Sequence, residues 1–335
     1  MAETINRRPF APLFVGSYTK AATLKAVMSI SASTSDNKAE RRRRLALGAD
    51  FMRRLESLAV AAGRKFAAGA PSAHAGAMRG GRVEFLDHRA YTPGDDLRDL
   101  DWHLYGRTGG LFVKIYGAER IKRVEIALDL SASMAISAEK EIFACRLAAV
   151  LAHVALAAGD EVVMHSAAAR LADCASLKPQ RGLRASRDIV AWLEELSISP
   201  AVDWSALALR LQLSPRRPGA LMVISDFWTE GAIEALAPFA KKLQELVLLR
   251  VLSAEEISPS CRGSVRLMDA ESGEEISLCL TPRDIDVYRA AVQNHVHAFA
   301  ERAVRHSMRH FLLSLIHISE PTRLLSISYA VFCLK

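Results

Sequence analysis

Apolar residues follow a distinctive rhythm in the second part of the chain. Three runs are short, rich in aliphatic residues and nearly free of polar alternation: Val124–Leu130, Ala220–Ser225 and Leu246–Leu252, of which the last is interrupted only by Arg250. Such runs are typical of strands that are buried on both faces. Because a sheet of such strands needs helices on both sides, the pattern predicts an α/β fold, with a doubly wound, mostly parallel sheet and helices on both faces.

The segments between these runs complete an alternating order of strands and helices. A further strand is predicted over Glu161–His165, and a short edge strand over Leu171–Leu177. Helical spacing and capping residues indicate four helices, over Glu139–Ala158 after the N-cap Ser137, Ala185–Leu196, Trp204–Leu211 and Ala232–Leu243. The predicted unit ends with a hairpin and a long helix, over Val265–Met268, Glu275–Leu280 and Arg283–His310.

The pattern differs before residue 123. Residues 1–45 are predicted to be a disordered basic arm, and residues 46–122 a small, extended and turn-rich segment. Within this segment Ala46–Phe66 has helical spacing, and short extended pieces flank the turn residues Thr92-Pro93-Gly94-Asp95-Asp96. The α/β domain with its hairpin and last helix is therefore assigned to residues 123–312.

The last 23 residues have another origin in this interpretation. Leu313–Arg323 and Ile327–Lys335 resemble the two translated ends of a transposase adapter used in sequencing libraries. Residues 313–335 are therefore expected to be an adapter artefact, and their apolar character is not taken as evidence of an anchor or a docking tail.

The net charge of +7 is concentrated at the start of the chain, because residues 1–54 hold eleven Lys and Arg against four Asp and Glu. The run Arg41–Arg44 is open to two interpretations, a solvated arm or a contact with nucleic acid or anionic lipid. Five cysteines without C-x-x-C spacing and the lack of a signal-peptide pattern favour a reduced, cytoplasmic protein. The longest apolar stretch, Ile142–Ala158, carries Arg146 and His153, which indicates a buried helix rather than a membrane span.

A dense run of charges follows the predicted turn. Seven positions beside Trp102 hold Asp95, Asp96, Arg98, Asp99 and Asp101. The run allows a charge-paired turn or a surface for a partner.

Small oxygen-bearing side chains follow two of the buried strands. Asp129, Ser131 and Ser133 leave the first strand, and Asp226 closes the ALMVIS strand. Ligands of open α/β sheets bind beyond the carboxyl ends of the strands, and carboxylate and hydroxyl oxygens are hard donors that suit Mg²⁺. The same residue types also cap helices without any metal, so the spacing alone leaves both interpretations open.

A family resemblance adds to this. The pieces RGGRVEFLDHRAYTPGDDLRDLDWHLYGRTGGLFVKIYGAER, VEIALDLSASM and VISDF resemble the bacterial family known as domain of unknown function 58, a set of von Willebrand factor A-like proteins. The resemblance implies a metal-ion-dependent adhesion site formed by Asp129, Ser131, Ser133 and Asp226. One element departs from the pattern, because Val202 stands where such sites have a threonine; Asp203 and Ser205 are the candidate substitutes.

The resemblance implies a non-enzymatic protein-interaction module that binds Mg²⁺ or a similar divalent cation. An acidic side chain of a protein partner, a MoxR-type AAA+ ATPase, would complete the coordination. The first alternative is a phosphoryl-transfer enzyme that uses a strand-end aspartate, but Ser131 stands where haloacid dehalogenase-like phosphatases need a second aspartate. The second alternative is nucleic-acid contact through the basic arm.

Overall fold

The computed structural model describes residues 45, 47, 50–57, 83–118, 122–213, 219–261, 263–271 and 273–314. The predicted arm up to residue 44, most of the predicted helix over Ala46–Phe66 and the tail beyond residue 314 lie outside the described residues. The described residues form two compact units, one of residues 83–118 and 122 and the other of the remainder. Residues 50–57, which the sequence analysis grouped with residues 46–122, therefore belong to the larger unit.

The elements are numbered in chain order. The helices are α1 (residues 50–57), α2 (Trp102–Thr108), α3 (Ala138–Ala157), α4 (Ser186–Glu195), α5 (Trp204–Gln212), α6 (Ala232–Ala240), α7 (Ala254–Ile257) and α8 (Pro282–Arg305). The strands are β1 (Val83–Ala90), β2 (Phe112–Ala118), β3 (Arg123–Asp129), β4 (Glu161–Ala167), β5 (Ser176–Gln180), β6 (Gly219–Ser225), β7 (Glu245–Leu252), β8 (Gly263–Met268), β9 (Glu275–Leu280) and β10 (Arg309–Ser314).

A six-stranded sheet forms the centre of the larger unit, in the order β10-β7-β6-β3-β4-β5. Its neighbouring strands are parallel except for β5, which pairs antiparallel with β4 at one edge. The predicted edge strand therefore exists, but it lies at Ser176–Gln180 rather than Leu171–Leu177. The α/β fold with a mostly parallel sheet is confirmed.

The strands are apolar throughout because both faces of the sheet are covered. Ile126 and Leu128 of β3 pack in a core with residues of α3 and α4, whereas Ala127 packs on the opposite face with residues of α5, α6 and α8. This opposition follows from the alternation of side chains along a strand. No helix among the described residues has the length and apolarity needed to cross a bilayer.

The C-terminal part differs from the prediction. The last helix ends at Arg305 instead of His310, and Ser307 follows with a positive φ of 59°. The chain then forms β10, which lies parallel to β7 and covers its edge. Leu313 and Ser314, assigned above to the tail, belong to this strand, and Leu313 is buried in the core. The sequence analysis was wrong here because a short strand after a long amphipathic helix leaves no periodic signal of its own.

The smaller unit is an antiparallel pair of β1 and β2 with a charge-paired turn between the strands. Asp95 accepts hydrogen bonds from both terminal guanidinium nitrogens of Arg89, at 2.6 and 2.7 Å, and one from the backbone N–H of Thr92 at 2.9 Å. Asp101 caps α2, with its carboxylate accepting from the N–H groups of His103 and Leu104. These contacts agree with the interpretation of the charged run as a charge-paired turn.

Asp101→Asn is expected to loosen this turn. Asp101 also contacts His88 Nε2 at 2.8 Å and Lys114 Nζ at 3.5 Å, and these partners with the helix N–H groups lower its pKa from 3.8 to about 2. A carboxyl whose pKa is lowered by folding stabilises the fold above its unfolded pKa, and this contribution disappears as the pH falls from about 4 to about 2. Hydrogen exchange of residues 83–118 should accelerate in the variant at neutral pH and in the wild-type protein on acidification. Asp99→Asn, which removes a carboxylate without such contacts, should leave the exchange unchanged.

Candidate functional site

The candidate site lies where the order of the central strands reverses. From β3 the chain crosses through α3 to β4 on one side, whereas β6 lies on the other side of β3. Crevices at the carboxyl ends of two such strands are the usual ligand sites of open α/β sheets. Asp129 is the last residue of β3, and Asp226 directly follows β6. The fold therefore brings the two predicted aspartates to one point.

The four predicted residues form one buried cluster of oxygen atoms. The carboxylate of Asp129 accepts from the Ser131 N–H at 2.8 Å and from the Ser225 hydroxyl at 2.6 Å. The hydroxyl oxygens of Ser131 and Ser133 are 2.9 Å apart, and the Ser133 side chain also bonds to Asp226. Asp129 and Ser131 are 0% exposed, and Ser133 and Asp226 are nearly as enclosed.

The two carboxylates of the cluster differ in their electrostatics. Burial, followed by the nearby charge of Asp226, raises the pKa of Asp129 from 3.8 to about 7. Burial would also raise the pKa of Asp226, but the ammonium of Lys140, together with hydrogen bonds from the Trp228 N–H and the Ser133 side chain, holds that pKa below its ordinary value. Below about pH 7 the protonated form of Asp129 is therefore favoured, and a bound divalent cation would favour the ionised form instead.

Lys140, in the first turn of α3, is the cation beneath the cluster. Its Nζ donates to Asp226 Oδ2 at 2.9 Å, to Glu256 Oε1 at 2.7 Å and to the carbonyl oxygen of Ser133 at 3.1 Å. The side chain is completely buried, and the negative charges of Asp226 and Glu256 raise the pKa of Lys140 despite its burial. Lys140 was not among the site residues predicted from the sequence. A signal existed, because helical spacing places Lys140 on the same face as the buried Phe143 and Leu147.

Arg250 fixes the loop that carries Asp226. Its Nε donates to the carbonyl oxygen of Asp226 and its Nη2 to that of Phe227, each at 2.6 Å. Phe227 has a φ of 52°, a left-handed conformation that is strained for a bulky residue, so the loop depends on these bonds. Trp228 completes the loop, and its indole N–H donates to Glu256 Oε1 at 3.0 Å. The sequence signal for Arg250 was its position as the lone charge in an apolar strand.

The loop before α5 supplies no side-chain oxygen at position 202, where metal-ion-dependent adhesion sites have a threonine. Val202 is buried among apolar side chains. Asp203 is exposed and caps α5, with its carboxylate accepting from the Ser205 N–H at 2.9 Å, and Ser205 is exposed as well. Neither substitute shares the hydrogen bonds of the buried cluster. The loop contacts the segment after β3 through Ser199, whose N–H donates to the Leu130 carbonyl at 2.9 Å, while the Ser199 hydroxyl donates to the Ala201 carbonyl.

The donor set fits a hard divalent cation. Two carboxylates and two hydroxyls offer oxygen ligands only, and Mg²⁺ binds such ligands while keeping several waters. Within the described ranges, no three or more His, Cys, Asp or Glu side chains come together as a metal-holding group, so a zinc-type site is not formed there. Asp129, Ser131 and Ser133 would hold the ion, with Asp226 beside them, and the cation would stabilise the ionised form of Asp129.

Parts of known proteins are similar to this chain. Uncharacterized proteins of Mycobacterium bovis and Mycobacterium tuberculosis are 26% identical over 230 residues, which cover 66% of this chain and 71% of each relative. Two solved structures cover 63% of this chain: BatB from Bacteroides thetaiotaomicron, a conserved hypothetical protein, and an aerotolerance-related membrane protein from Bacteroides fragilis. The first is 17% identical and matched over 98% of its own length, the second 18% and 97%, each with a TM-score of 0.40.

The family itself is identified by a match over residues 87–299, a range that includes the charge-paired turn, both strand-end aspartates and Lys140. The match spans most of the described chain and confirms the resemblance that the sequence motifs carried. The chain belongs to the family described as Protein of unknown function DUF58.

Proposed function

We propose that this protein is a non-enzymatic protein-interaction module whose contact point is a metal-ion-dependent adhesion site. The observation that carries the proposal is the convergence of Asp129, Ser131, Ser133 and Asp226 at the carboxyl ends of β3 and β6. A bound Mg²⁺ or similar cation supplies a positive charge with a coordination position for a partner's carboxylate. Asp129 and the two hydroxyls would hold the ion, and Asp226 orients Ser133 through a side-chain hydrogen bond.

The partner that we propose is a MoxR-type AAA+ ATPase in the cytoplasm, for which this protein acts as an adaptor or assembly factor. The support is the likeness to von Willebrand factor A-like proteins in the motifs around Asp129 and Asp226. An acidic side chain of the ATPase would complete the coordination of the ion. The proposed contact involves neither the basic arm nor a membrane-spanning segment.

The surroundings of Asp129 favour binding over catalysis. Phosphoryl transfer of the haloacid dehalogenase type needs a second carboxylate, two positions after the first, as a general acid or base. The residue two positions later is Ser131, which cannot serve as an acid or base at neutral pH. The geometry therefore supports an interaction site rather than phosphoryl transfer.

Ser131→Ala/Ser133→Ala is expected to weaken Mg²⁺ binding by more than about tenfold, because it removes two oxygen ligands and leaves both carboxylates in place. Isothermal titration of the full chain with MgCl₂ measures the effect. Ser205→Ala, which changes an exposed hydroxyl outside the cluster, is the matched control and should bind Mg²⁺ like the wild type. Equal Mg²⁺ affinity in the wild type and the double variant would contradict the metal site.

Binding to a purified MoxR-type ATPase tests the partner. Chelation is ambiguous here, since such an ATPase needs Mg²⁺ for its nucleotide, so the comparison is made between variants at constant Mg²⁺. The wild type and Ser205→Ala should bind, and Ser131→Ala/Ser133→Ala should not. Equal binding of all three proteins would show that the strand-end oxygens are not the contact.

A further inference from the structure

A buried network of charges lies directly below the proposed metal site. Three carboxylates take part, those of Asp129, Asp226 and Glu256, and Lys140 bonds to the last two. Glu256 is held in turn by the N–H groups of Ser253 at 2.7 Å and Trp228 at 3.0 Å. Lys140 and Glu256 are both 0% exposed, so water screens these charges very little.

We propose that Lys140 is a positioning residue that serves as a permanent counter-cation of the metal site. It holds Asp226 in place when no metal is bound, and it leaves the charge of Asp129 for the divalent ion to balance. This inference rests on the proposed function, since it assigns a role beside the same site. The contacts that carry it are those of the ammonium with Asp226 Oδ2, Glu256 Oε1 and the Ser133 carbonyl.

The ammonium also sets how strongly the site attracts an acidic partner. Lys140 offsets one of the two carboxylate charges of Asp226 and Glu256, so a bound divalent ion keeps one unit more of positive charge toward the partner than it would without the ammonium. Without the ammonium, Asp226 would neutralise the ion as well. Lys140 therefore lowers the affinity for the metal, by repulsion, and in return preserves the pull on a carboxylate ligand.

Lys140→Met separates this role from an ordinary structural one. Its melting temperature without metal should fall, because Asp226 and Glu256 then lie together without their cation. Its affinity for Mg²⁺, measured by titration calorimetry, should rise by about tenfold or more, because a nearby positive charge is gone. A lysine that only supports the fold would lower stability without tightening Mg²⁺ binding. Lys242→Met, at an exposed position, is the control and should change neither quantity.

Lys140→Met/Glu256→Gln keeps the experiment decisive if the single variant folds poorly. The double variant loses one charge of each sign, so most of the metal-free melting temperature should return, and the Mg²⁺ affinity should move back toward that of the wild type. A double variant as unstable as Lys140→Met, or unchanged Mg²⁺ affinity in Lys140→Met, would overturn the inference. If the wild type binds no Mg²⁺, the proposed function fails, whereas the melting temperatures still decide whether Lys140 is the counter-cation of Asp226 and Glu256.

Discussion

Arg250→Met is expected to lower the free energy of unfolding by about 2–6 kcal/mol. The guanidinium is completely buried and donates to the carbonyl oxygens of Asp226 and Phe227. Methionine fills similar space but leaves both carbonyls without this donor, and each such loss costs about 1–3 kcal/mol. The variant also removes a positive charge near Asp226 and Glu256. Burial lowers the pKa of Arg250 to about 10, although the charges of these two carboxylates raise it.

Chemical denaturation of the two proteins measures this loss. Arg305→Met, at an exposed position of the last turn of α8, is the control and should cost little. Arg250→Lys should give an intermediate loss, because a lysine keeps the charge but cannot match the planar pair of bonds to two carbonyls. The guanidinium carbon also lies 4.6 Å from the ring centroid of Phe299 and 5.4 Å from that of Trp228, contacts that neither substitute reproduces fully. Stability equal to the wild type in Arg250→Met would show that the Asp226 loop does not depend on this residue.

The fold was predictable because its strands are buried on both faces. Val124–Leu130, Ala220–Ser225 and Leu246–Leu252 show no polar alternation, and the structure places them at β3, β6 and β7 in the middle of the sheet. The edges were less predictable. β5 and β10 are short, and their residues are set by the pairing with β4 and β7 rather than by a local period.

Of the candidate site, only the residues that supply the oxygen atoms could be predicted from the sequence. The four residues lie at the ends of buried strands, namely Asp129, Ser131, Ser133 and Asp226. Because ligand sites of α/β sheets lie at the carboxyl ends of the strands, the sequence alone predicted that these residues meet. Lys140 and Glu256 belong to helices 116 residues apart, and no spacing in a single sequence reports such a contact. The helical face of Lys140 did indicate burial, but the identity of its partners required the structure.

In the loop before α5, the sequence indicated candidate ligands that lie outside the buried cluster in the structure. Asp203 and Ser205, one and three positions after Val202, were named as possible substitutes for the missing threonine, although neither stands at the matching position. The helix start distinguishes them, since the Asp203 carboxylate caps α5 and Val202 turns into the core. A capping residue at the right place was therefore mistaken for a candidate ligand, although capping is the common role of aspartate before a helix.

Asp129→Asn is expected to stabilise the metal-free protein and to abolish its stabilisation by Mg²⁺. Asparagine has the shape of aspartate and can accept the Ser131 N–H bond, but it removes the buried charge whose pKa is raised to about 7 by burial and by Asp226. Without Mg²⁺ and above pH 7, the variant should therefore be more stable than the wild type, by about 1–3 kcal/mol. Added Mg²⁺ should raise the melting temperature of the wild type and leave that of the variant unchanged, because the carboxylate ligand is gone.

Thermal unfolding in the presence of MgCl₂ or EDTA measures both effects, with Asp173→Asn at an exposed position as the control that keeps the wild-type response. The two effects have opposite signs, which a general loss of structure cannot produce. A metal-free variant less stable than the wild type would show that the Asp129 carboxylate serves the fold through its bonds to Ser131 and Ser225. An undiminished Mg²⁺ response would place the ion elsewhere in the protein. The expected pair of results arises only if the charge of Asp129 destabilises the empty fold and becomes favourable when a divalent cation is bound.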